Sequence, residues 1–215
     1  MGRMIRTGEE YRQSIRDDRQ VWINGERVKD VPSHPAFKPI VDVRARIYDM
    51  AHEPRTREIM SYVDPGTNEA NCIAYKLPVS HQDWHDKRRA VDTVMNDIGG
   101  VVIRVGDETI GEMWSLYDGK DVLNEVDPRF ARNIESHILR ALSTDTFHVS
   151  ANTDPKGDRS KRPQDQDPDM LLHLVKETDA GIVVRGAKYE TAAAYANQAF
   201  VKPTIHKNVM MMPNT

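Results

Sequence analysis

The feature that most constrains the fold is a change of pattern near residue 150. Before it, apolar residues recur with helical spacing, and the longest stripe predicts a helix that ends near residue 147. This stripe consists of Phe130, Ile134, Ile138 and Leu142. From residue 152 onward, a polar loop and then strand-like runs follow. The chain is therefore predicted to be α+β, with an α-helical domain at residues 1–150 and a β domain at residues 151–215.

A β-hairpin is predicted within the segment 171–191. Apolar runs of strand length at 171–176 and 181–188 flank the polar connector 177–180. With a further strand at 199–205, the region supplies at most three or four strands, which is few for a stable sheet. The sequence therefore predicts an incomplete β domain, completed by a continuation of the chain or by a partner.

Short motifs predict individual elements within the helical domain. Thr7 and Glu10 are spaced as a capping box at the start of a helix. The dipeptide Asn24-Gly25 lies between β-forming residues and predicts an early hairpin at residues 20–29, because both residues tolerate the positive φ of a type I′ turn.

Two further expectations concern the interior of this domain. Residues 64–78 contain several Pro and Gly breakers and are predicted to be irregular. Large aromatic side chains on the apolar helix stripes are predicted to belong to the core. These are Trp84, Trp114 and Phe130.

Composition limits the class of protein and its partners. A net charge of -3 gives no indication of a nucleic-acid or membrane-surface partner. The single cysteine, Cys72, cannot form a disulfide framework within the chain and suits a cytoplasmic location. No apolar run approaches the roughly 18 residues of a membrane span. We therefore expect a cytoplasmic protein.

Two charged segments are candidates for binding an anion. Residues 154–159 read DPKGDR, and such a loop could bind an anionic cofactor through Lys156, Arg159 and free backbone amides; the alternative is a solvated charged loop. The segment 185–188 ends a strand with two cations around a glycine, and Thr191 follows as a possible hydroxyl donor. The alternative for this second segment is a strand end with exposed cations.

Other polar residues carry weaker signals. His81 and His85 have the spacing of a metal-binding pair, but no third ligand is near, so no metal site is predicted. Arg104 could be a buried cation that faces a phenolate or carboxylate, or an ordinary arginine. Cys72 has no basic neighbour that would lower its pKa and is interpreted as an inert thiol.

Several of these segments, in this order, resemble one known family. They are RTGEEY at 6–11, the predicted hairpin at 21–28, SHPAF at 33–37, TDPKGDR at 153–159 and ETDAGIVVRGAK at 177–188. The chain resembles the N-terminal portion of the family that contains the large oxygenase component of 4-hydroxyphenylacetate 3-hydroxylase and 4-hydroxybutyryl-CoA dehydratase. The resemblance runs from about residue 5 to 205.

The resemblance implies an acyl-CoA-dehydrogenase-like architecture. An α-helical N-terminal domain would be followed by the start of a β-barrel-type middle domain, and the C-terminal helical domain of the family would be absent. The implied activity is that of the oxygenase component of a two-component, reduced-flavin-dependent phenol monooxygenase. Reduced FAD would come from a separate flavin reductase, the substrate would be a small aromatic molecule, and the full-length protein would form a homo-oligomer.

Site residues follow from the resemblance position by position. Lys156, Gly157, Asp158 and Arg159 would contact the flavin, and Thr191 would lie near its ring. Arg104, His148 and Ser150 are the implied catalytic residues. The chain departs from the hydroxylases at two positions, because Ser150 stands where they carry a histidine and Glu108 stands where they carry a tyrosine.

Two other functions remain open. The incomplete sheet fits a non-catalytic truncated chain, or a subunit that needs a partner. The second alternative is an acyl-CoA dehydratase or isomerase, as in the dehydratase branch of the family. It would lack the iron–sulfur cluster of that branch, because three cysteines hold the cluster and this chain has one.

Overall fold

The structure is a computed structural model that describes residues 5–100, 107–162 and 165–202. Seven helices occur in this part of the chain: α1 Gly8–Ser14, α2 Lys38–Met50, α3 Arg57–Met60, α4 His81–Asp97, α5 Asp107–Asp118, α6 Lys120–Val126 and α7 Pro128–Thr144. The strands are β1 Val21–Ile23, β2 Glu26–Val28, β3 Ser61–Val63, β4 Ala70–Cys72, β5 His148–Ala151, β6 His173–Thr178, β7 Gly181–Arg185 and β8 Gln198–Val201. Mixed helix and sheet confirms the α+β class.

The chain divides into two compact units. The first unit comprises residues 1–148 together with 194–198, and the second comprises 149–193 and 199–215. The first unit contains all seven helices, whereas the described part of the second consists of strands and loops. None of the described helices is both long and apolar enough to cross a membrane.

Helix α1 begins at the predicted capping box. The Thr7 side chain accepts a hydrogen bond from the Glu10 amide, and the Glu10 carboxylate accepts one from the Thr7 amide at 2.6 Å. Gly8, the first residue of the helix, lies against α2, because a Cβ at this position would be 2.6 Å from the carbonyl oxygen of Ala45. The absence of a side chain at Gly8 therefore permits close packing of α1 on α2.

The early hairpin also forms as predicted. Strands β1 and β2 are antiparallel, with Val21 opposite Val28. Asn24 and Gly25 form the turn with φ values of 51° and 84°, as a type I′ turn requires.

Helices α2, α3 and α4 enclose the main hydrophobic core of the first unit. The buried cluster consists of Ile5, Ile47, Met50, Ala51, Met60, Ile73, Ala90 and Val94. At an order-of-magnitude level, full burial of each large aliphatic side chain contributes about 1.5–3 kcal/mol. Packing in this core therefore stabilises the arrangement of α2, α3 and α4.

Three expectations about the helical region were wrong. The segment 64–78 is not irregular throughout: β4 pairs with β3, and a 3₁₀ helix follows at Ile73–Tyr75. Trp84 is 62% exposed and Phe130 42% exposed, so neither belongs to the core. Their helices bury other positions, because Ala90 and Val94 in α4 and Ile138 and Ala141 in α7 are the residues that face inward.

The end of α7 also differs slightly from the prediction. The helix stops at Thr144 because Asp145 adopts a left-handed conformation with φ 44°, which terminates the helical hydrogen bonding. Phe147, predicted near the helix end, instead lies in the connection to β5 and is buried.

The second unit contains the predicted late hairpin. Strands β6 and β7 are antiparallel, with Thr178 opposite Gly181, so the turn is shorter than the predicted connector. Strand β5 pairs with β8, which is shorter than the predicted strand at 199–205; residues 203–205 lie outside the described part. The described strands form two-stranded sheets and no closed barrel.

Candidate functional site

Strand β5 carries two of the predicted catalytic residues. His148 and Ser150 alternate along the strand, so their side chains point to the same face. Both are buried, with 5% and 4% of their surface exposed. The hydroxyl of Ser150 donates a hydrogen bond to Oδ1 of Asn152 at 2.9 Å. The division between the two units passes directly after His148.

The His148 ring has a polar neighbour at each nitrogen. Nε2 lies 2.6 Å from Oε1 of Gln198, and Nδ1 lies 3.5 Å from the Tyr75 hydroxyl. The hydrogen of that hydroxyl is donated to the carbonyl oxygen of Thr146 at 2.7 Å. Burial lowers the pKa of His148 to about 4, against a smaller opposing effect of the Gln198 hydrogen bond. The ring is therefore neutral at physiological pH.

His148 lines a small cavity of about 30 Å³, enough for a water molecule. Its walls combine apolar side chains with several groups that titrate. The titratable groups are Arg44, Tyr48, Cys72, Tyr75, Asp145 and His148. Burial raises the pKa of Cys72 to about 12, so the thiol is protonated at physiological pH.

Arg44 and Asp145 are the buried charged residues beside this cavity. The Arg44 guanidinium stands 4.0 Å from the centroid of the Phe147 ring and 5.2 Å from that of Tyr48, as in a cation–π arrangement. Asp145 accepts a hydrogen bond from the Arg6 amide at 3.1 Å. Burial nevertheless raises the pKa of Asp145 to about 6. Two charged side chains are therefore buried inside the first unit.

The predicted flavin-contacting loop lies in the second unit and is organised by its own side chains. Gly157 has φ 52°, and a Cβ there would lie 2.6 Å from the sulfur of Met170. Gln166 accepts a hydrogen bond from the Asp158 amide at 3.1 Å, and Asp158 accepts one from the Ser160 hydroxyl at 2.7 Å. The last bond lowers the pKa of Asp158, which is therefore an anion at neutral pH.

Two cations of this loop project into solvent. Lys156 and Arg159 are both exposed, and neither forms an ion pair within the described residues. Lys161 and Arg162, by contrast, lie near the carboxylates of Asp158 and Asp165. A left-handed glycine between exposed cations suits the phosphates of a cofactor such as FAD. The anion-binding role of this loop stays a prediction, and its two exposed cations flank the Asp158 carboxylate.

The segment around Thr191 is partly buried and partly open. Lys188 forms a 2.6 Å ion pair with Asp154, and its side chain is only 7% exposed, so the alternative of an exposed cation was wrong at this position. Gly186 has φ 121°, and a Cβ there would clash with the carbonyl oxygen of Leu171. Thr191 itself is exposed and donates its hydroxyl to Glu190.

Other predicted residues are not brought into this arrangement. Arg104 lies outside the described residues, as does the side chain of Glu108. His81 and His85 are exposed at the start of α4, where Ser80 and Asp83 form a capping box. Within the described part of the chain, no group of three or more His, Cys, Asp or Glu side chains could hold a metal ion.

Sequence reasoning missed the polar residues that surround His148. Tyr75 lies in the segment that was predicted to be irregular, and Gln198 belongs to a strand with no motif. Asp145 carried one usable signal, because an Asp soon after a helical stripe is among the few non-glycine residues that adopt the left-handed conformation. Arg44 gave no signal, since a helical arginine is usually exposed.

The chain is similar to known proteins over nearly all of its length. A family model described as 4-hydroxyphenylacetate 3-hydroxylase N terminal matches residues 7–211. The 4-hydroxyphenylacetate 3-monooxygenase oxygenase component of Thermus thermophilus is 29% identical over 203 residues, which cover 94% of this chain and 41% of that protein. The 4-hydroxybutyryl-CoA dehydratase/vinylacetyl-CoA-Delta-isomerase of Clostridium aminobutyricum is 28% identical, covering 94% and 42%.

A solved structure supports the same relationship. The crystal structure of the oxygenase component of 4-hydroxyphenylacetate 3-monooxygenase, complexed with FAD, superposes with a TM-score of 0.83 at 28% identity. The match covers 94% of this chain and 42% of that one. The chain therefore spans about two fifths of the length of the relatives that it matches.

Proposed function

This chain belongs to the 4-hydroxyphenylacetate 3-hydroxylase N-terminal family, and from that premise we propose that it acts in reduced-flavin-dependent hydroxylation of a phenol. It would form the N-terminal portion of the oxygenase component of a two-component system. The observation that carries the proposal is the likeness, over 94% of this chain, to an oxygenase component crystallised with FAD. The proposed architecture is acyl-CoA-dehydrogenase-like, with a helical domain at residues 1–150 and part of a β domain at 151–215.

Each candidate residue has a proposed part. Lys156 and Arg159 would bind the flavin phosphates, and Gly157 would let the backbone amides approach them. Asp158 would stabilise the conformation of the loop by accepting a hydrogen bond from Ser160. Thr191 would donate a hydrogen bond near the flavin ring. A reduced flavin at this position would supply the electrons with which molecular oxygen is split, one atom entering the aromatic ring and the other leaving as water.

Two residues are proposed for the substrate side of the site. Arg104 would face the phenolate, and Ser150 would offer a hydroxyl where the hydroxylases carry a histidine. The proposed partners are a flavin reductase, an aromatic small molecule and further copies of the full-length protein. A cytoplasmic location is part of the same proposal.

We expect Arg159→Gln to weaken the binding of reduced FAD about tenfold, because one charge-assisted contact to phosphate is lost. The measurement is an anaerobic titration with reduced FAD, followed by equilibrium dialysis, of this chain extended to the full length of the family. Arg162→Gln is the matched control, since Arg162 lies in the same loop but is paired with Asp165 at 2.8 Å. It should bind like the wild type. Equal affinities for both variants, or no binding by the wild type, would contradict the proposal.

A second candidate is a non-catalytic chain or a subunit that needs a partner. All eleven residues of β6 and β7 are exposed, including Leu174, Ile182 and Val184. An apolar hairpin with both faces in water is unusual for an independent unit. Sedimentation and hydrogen exchange distinguish the two candidates, because a cooperatively protected monomeric hairpin would argue against the need for a partner.

The likeness to the Clostridium dehydratase leaves a third candidate, an acyl-CoA dehydratase or isomerase without an iron–sulfur cluster. Hydration of an enoyl-CoA in the absence of oxygen would favour it. Activity that disappears on iron chelation would speak against it.

A further inference from the structure

The His148 ring contacts side chains that have no part in the proposed function. Gln198 meets Nε2, and Tyr75 approaches Nδ1. The third contact to His148 comes from His137 in α7. The two rings are edge to face, with centroids 5.7 Å apart. The imidazole is therefore enclosed by a side chain from each of three elements.

The contact with Gln198 assigns the ring hydrogen to one nitrogen. Oε1 of Gln198 lies 2.6 Å from Nε2 of His148. Nε2 must then donate, because an amide oxygen can only accept. Nδ1 then carries no hydrogen, and the Tyr75 hydroxyl 3.5 Å away directs its own hydrogen to the Thr146 carbonyl.

The surroundings also oppose a positive charge on the ring. His137 lies against it from α7, and the Arg44 guanidinium from α2 acts on it electrostatically. Tyr75 and Cys72 line the same cavity as neutral groups. Asp145 is the one acid there, and its carboxylate accepts a bond from the Arg6 amide. A buried, neutral ring whose N–H is committed to Gln198 has no proton to donate to a substrate.

The same contacts fix the start of strand β5. The Gln198 and Asn197 amides both donate to the Phe147 carbonyl, at 3.1 and 2.9 Å. The Phe147 amide donates to the side chain of Asn197 at 3.0 Å. With the His148 bond, residues 197–198 thus make four hydrogen bonds to residues 147–148. Ser150 follows two positions later in the same strand.

We propose that Gln198 is a positioning residue: by accepting the Nε2 hydrogen of His148, it holds a neutral imidazole that anchors the strand carrying Ser150. His148 is then a structural partner of Gln198 and not a proton carrier. The functional importance of Ser150 rests on the proposed hydroxylase function, whereas the state of the His148 ring does not.

The test compares Gln198→Leu and Gln198→Glu in the 215-residue chain by long-range ¹H–¹⁵N NMR of the histidine rings. In the wild type, His148 should remain the neutral Nε2–H form from pH 5.5 to 8.5. Gln198→Leu removes the acceptor and should give a mixture of both neutral forms. Gln198→Glu keeps the acceptor and adds a charge, so His148 should now become protonated within this range.

Amide hydrogen exchange at Ser150 tests the positioning role. We expect exchange at least tenfold faster in Gln198→Leu and close to wild type in Gln198→Glu, which restores the hydrogen bond. Gln82→Leu is the control, because Gln82 is exposed and its side chain donates to Asp86 in its own helix. A wild-type His148 that titrates near pH 6.5, or Ser150 exchange unaffected by Gln198→Leu, would overturn the proposal. Neither reading requires flavin, so failure here is distinct from failure to bind FAD.

Discussion

Substitution of Gly8 by alanine is expected to lower the free energy of unfolding by about 2–3 kcal/mol, the upper range for overpacking. The added Cβ would lie 2.6 Å from the Ala45 oxygen and 2.9 Å from its carbonyl carbon. Both are backbone atoms of α2, so the clash can be removed only if α1 shifts. That shift would disturb the 2.7 Å hydrogen bond from the Gly8 amide to Asp49. Urea unfolding followed by far-ultraviolet circular dichroism measures the effect.

The control for this prediction is Gly111→Ala. Gly111 lies in α5, and among the described residues no atom outside the adjoining backbone of its own helix is within 4 Å of the position its Cβ would take. Alanine there should stabilise the chain by about 0.5–1 kcal/mol, because glycine is the poorer helix former. Similar changes for both variants would mean that helix propensity, and not the close approach of α1 to α2, determines the result at Gly8.

Local motifs predicted the elements whose causes are local. The capping box at Thr7 and the Asn24-Gly25 turn depend on residues within a few positions, and both form as predicted. Strands β6 and β7 follow the same rule, because a short connector brings them together. Such features survive in the structure because no tertiary contact competes with them.

The errors have tertiary causes. Trp84 has the spacing of an apolar stripe, but α4 turns Ala90 and Val94 toward the core and leaves the indole in solvent. The 3₁₀ helix at Ile73–Tyr75 was missed because its residues are held by core packing and by Lys87, which donates to the Ala74 carbonyl at 2.7 Å. Neither effect can be deduced from residue spacing.

In the candidate site too, features with local causes could be predicted and features with tertiary causes could not. The loop at 156–159 was recognisable because its cations and glycine are adjacent in the chain. The environment of His148 was not, since Tyr75 and Gln198 are 73 and 50 residues away from it. Sequence therefore indicated which chemical groups to consider, whereas the protonation state of the histidine required the distances between elements.

Replacement of Asp145 by asparagine is expected to raise the free energy of unfolding by about 2–3 kcal/mol at pH 7.5. Asp145 is 3% exposed, and burial raises its pKa from 3.8 to about 6, so ionisation costs the folded state roughly 1.4 kcal/mol per unit. Asparagine avoids that cost, tolerates the left-handed conformation and can still accept the Arg6 hydrogen bond.

The pH dependence distinguishes this cause from a simple packing change. A raised folded-state pKa means that the contribution of Asp145 to stability is greatest below pH 4 and is lost as pH rises through 6. The advantage of Asp145→Asn should therefore be near zero at pH 3.5, grow between pH 4 and 6, and stay constant above pH 7. Exposed Asp18→Asn should change stability by less than about 0.5 kcal/mol at every pH. A pH-independent difference for Asp145→Asn would show that burial does not oppose ionisation of this carboxylate in the folded chain.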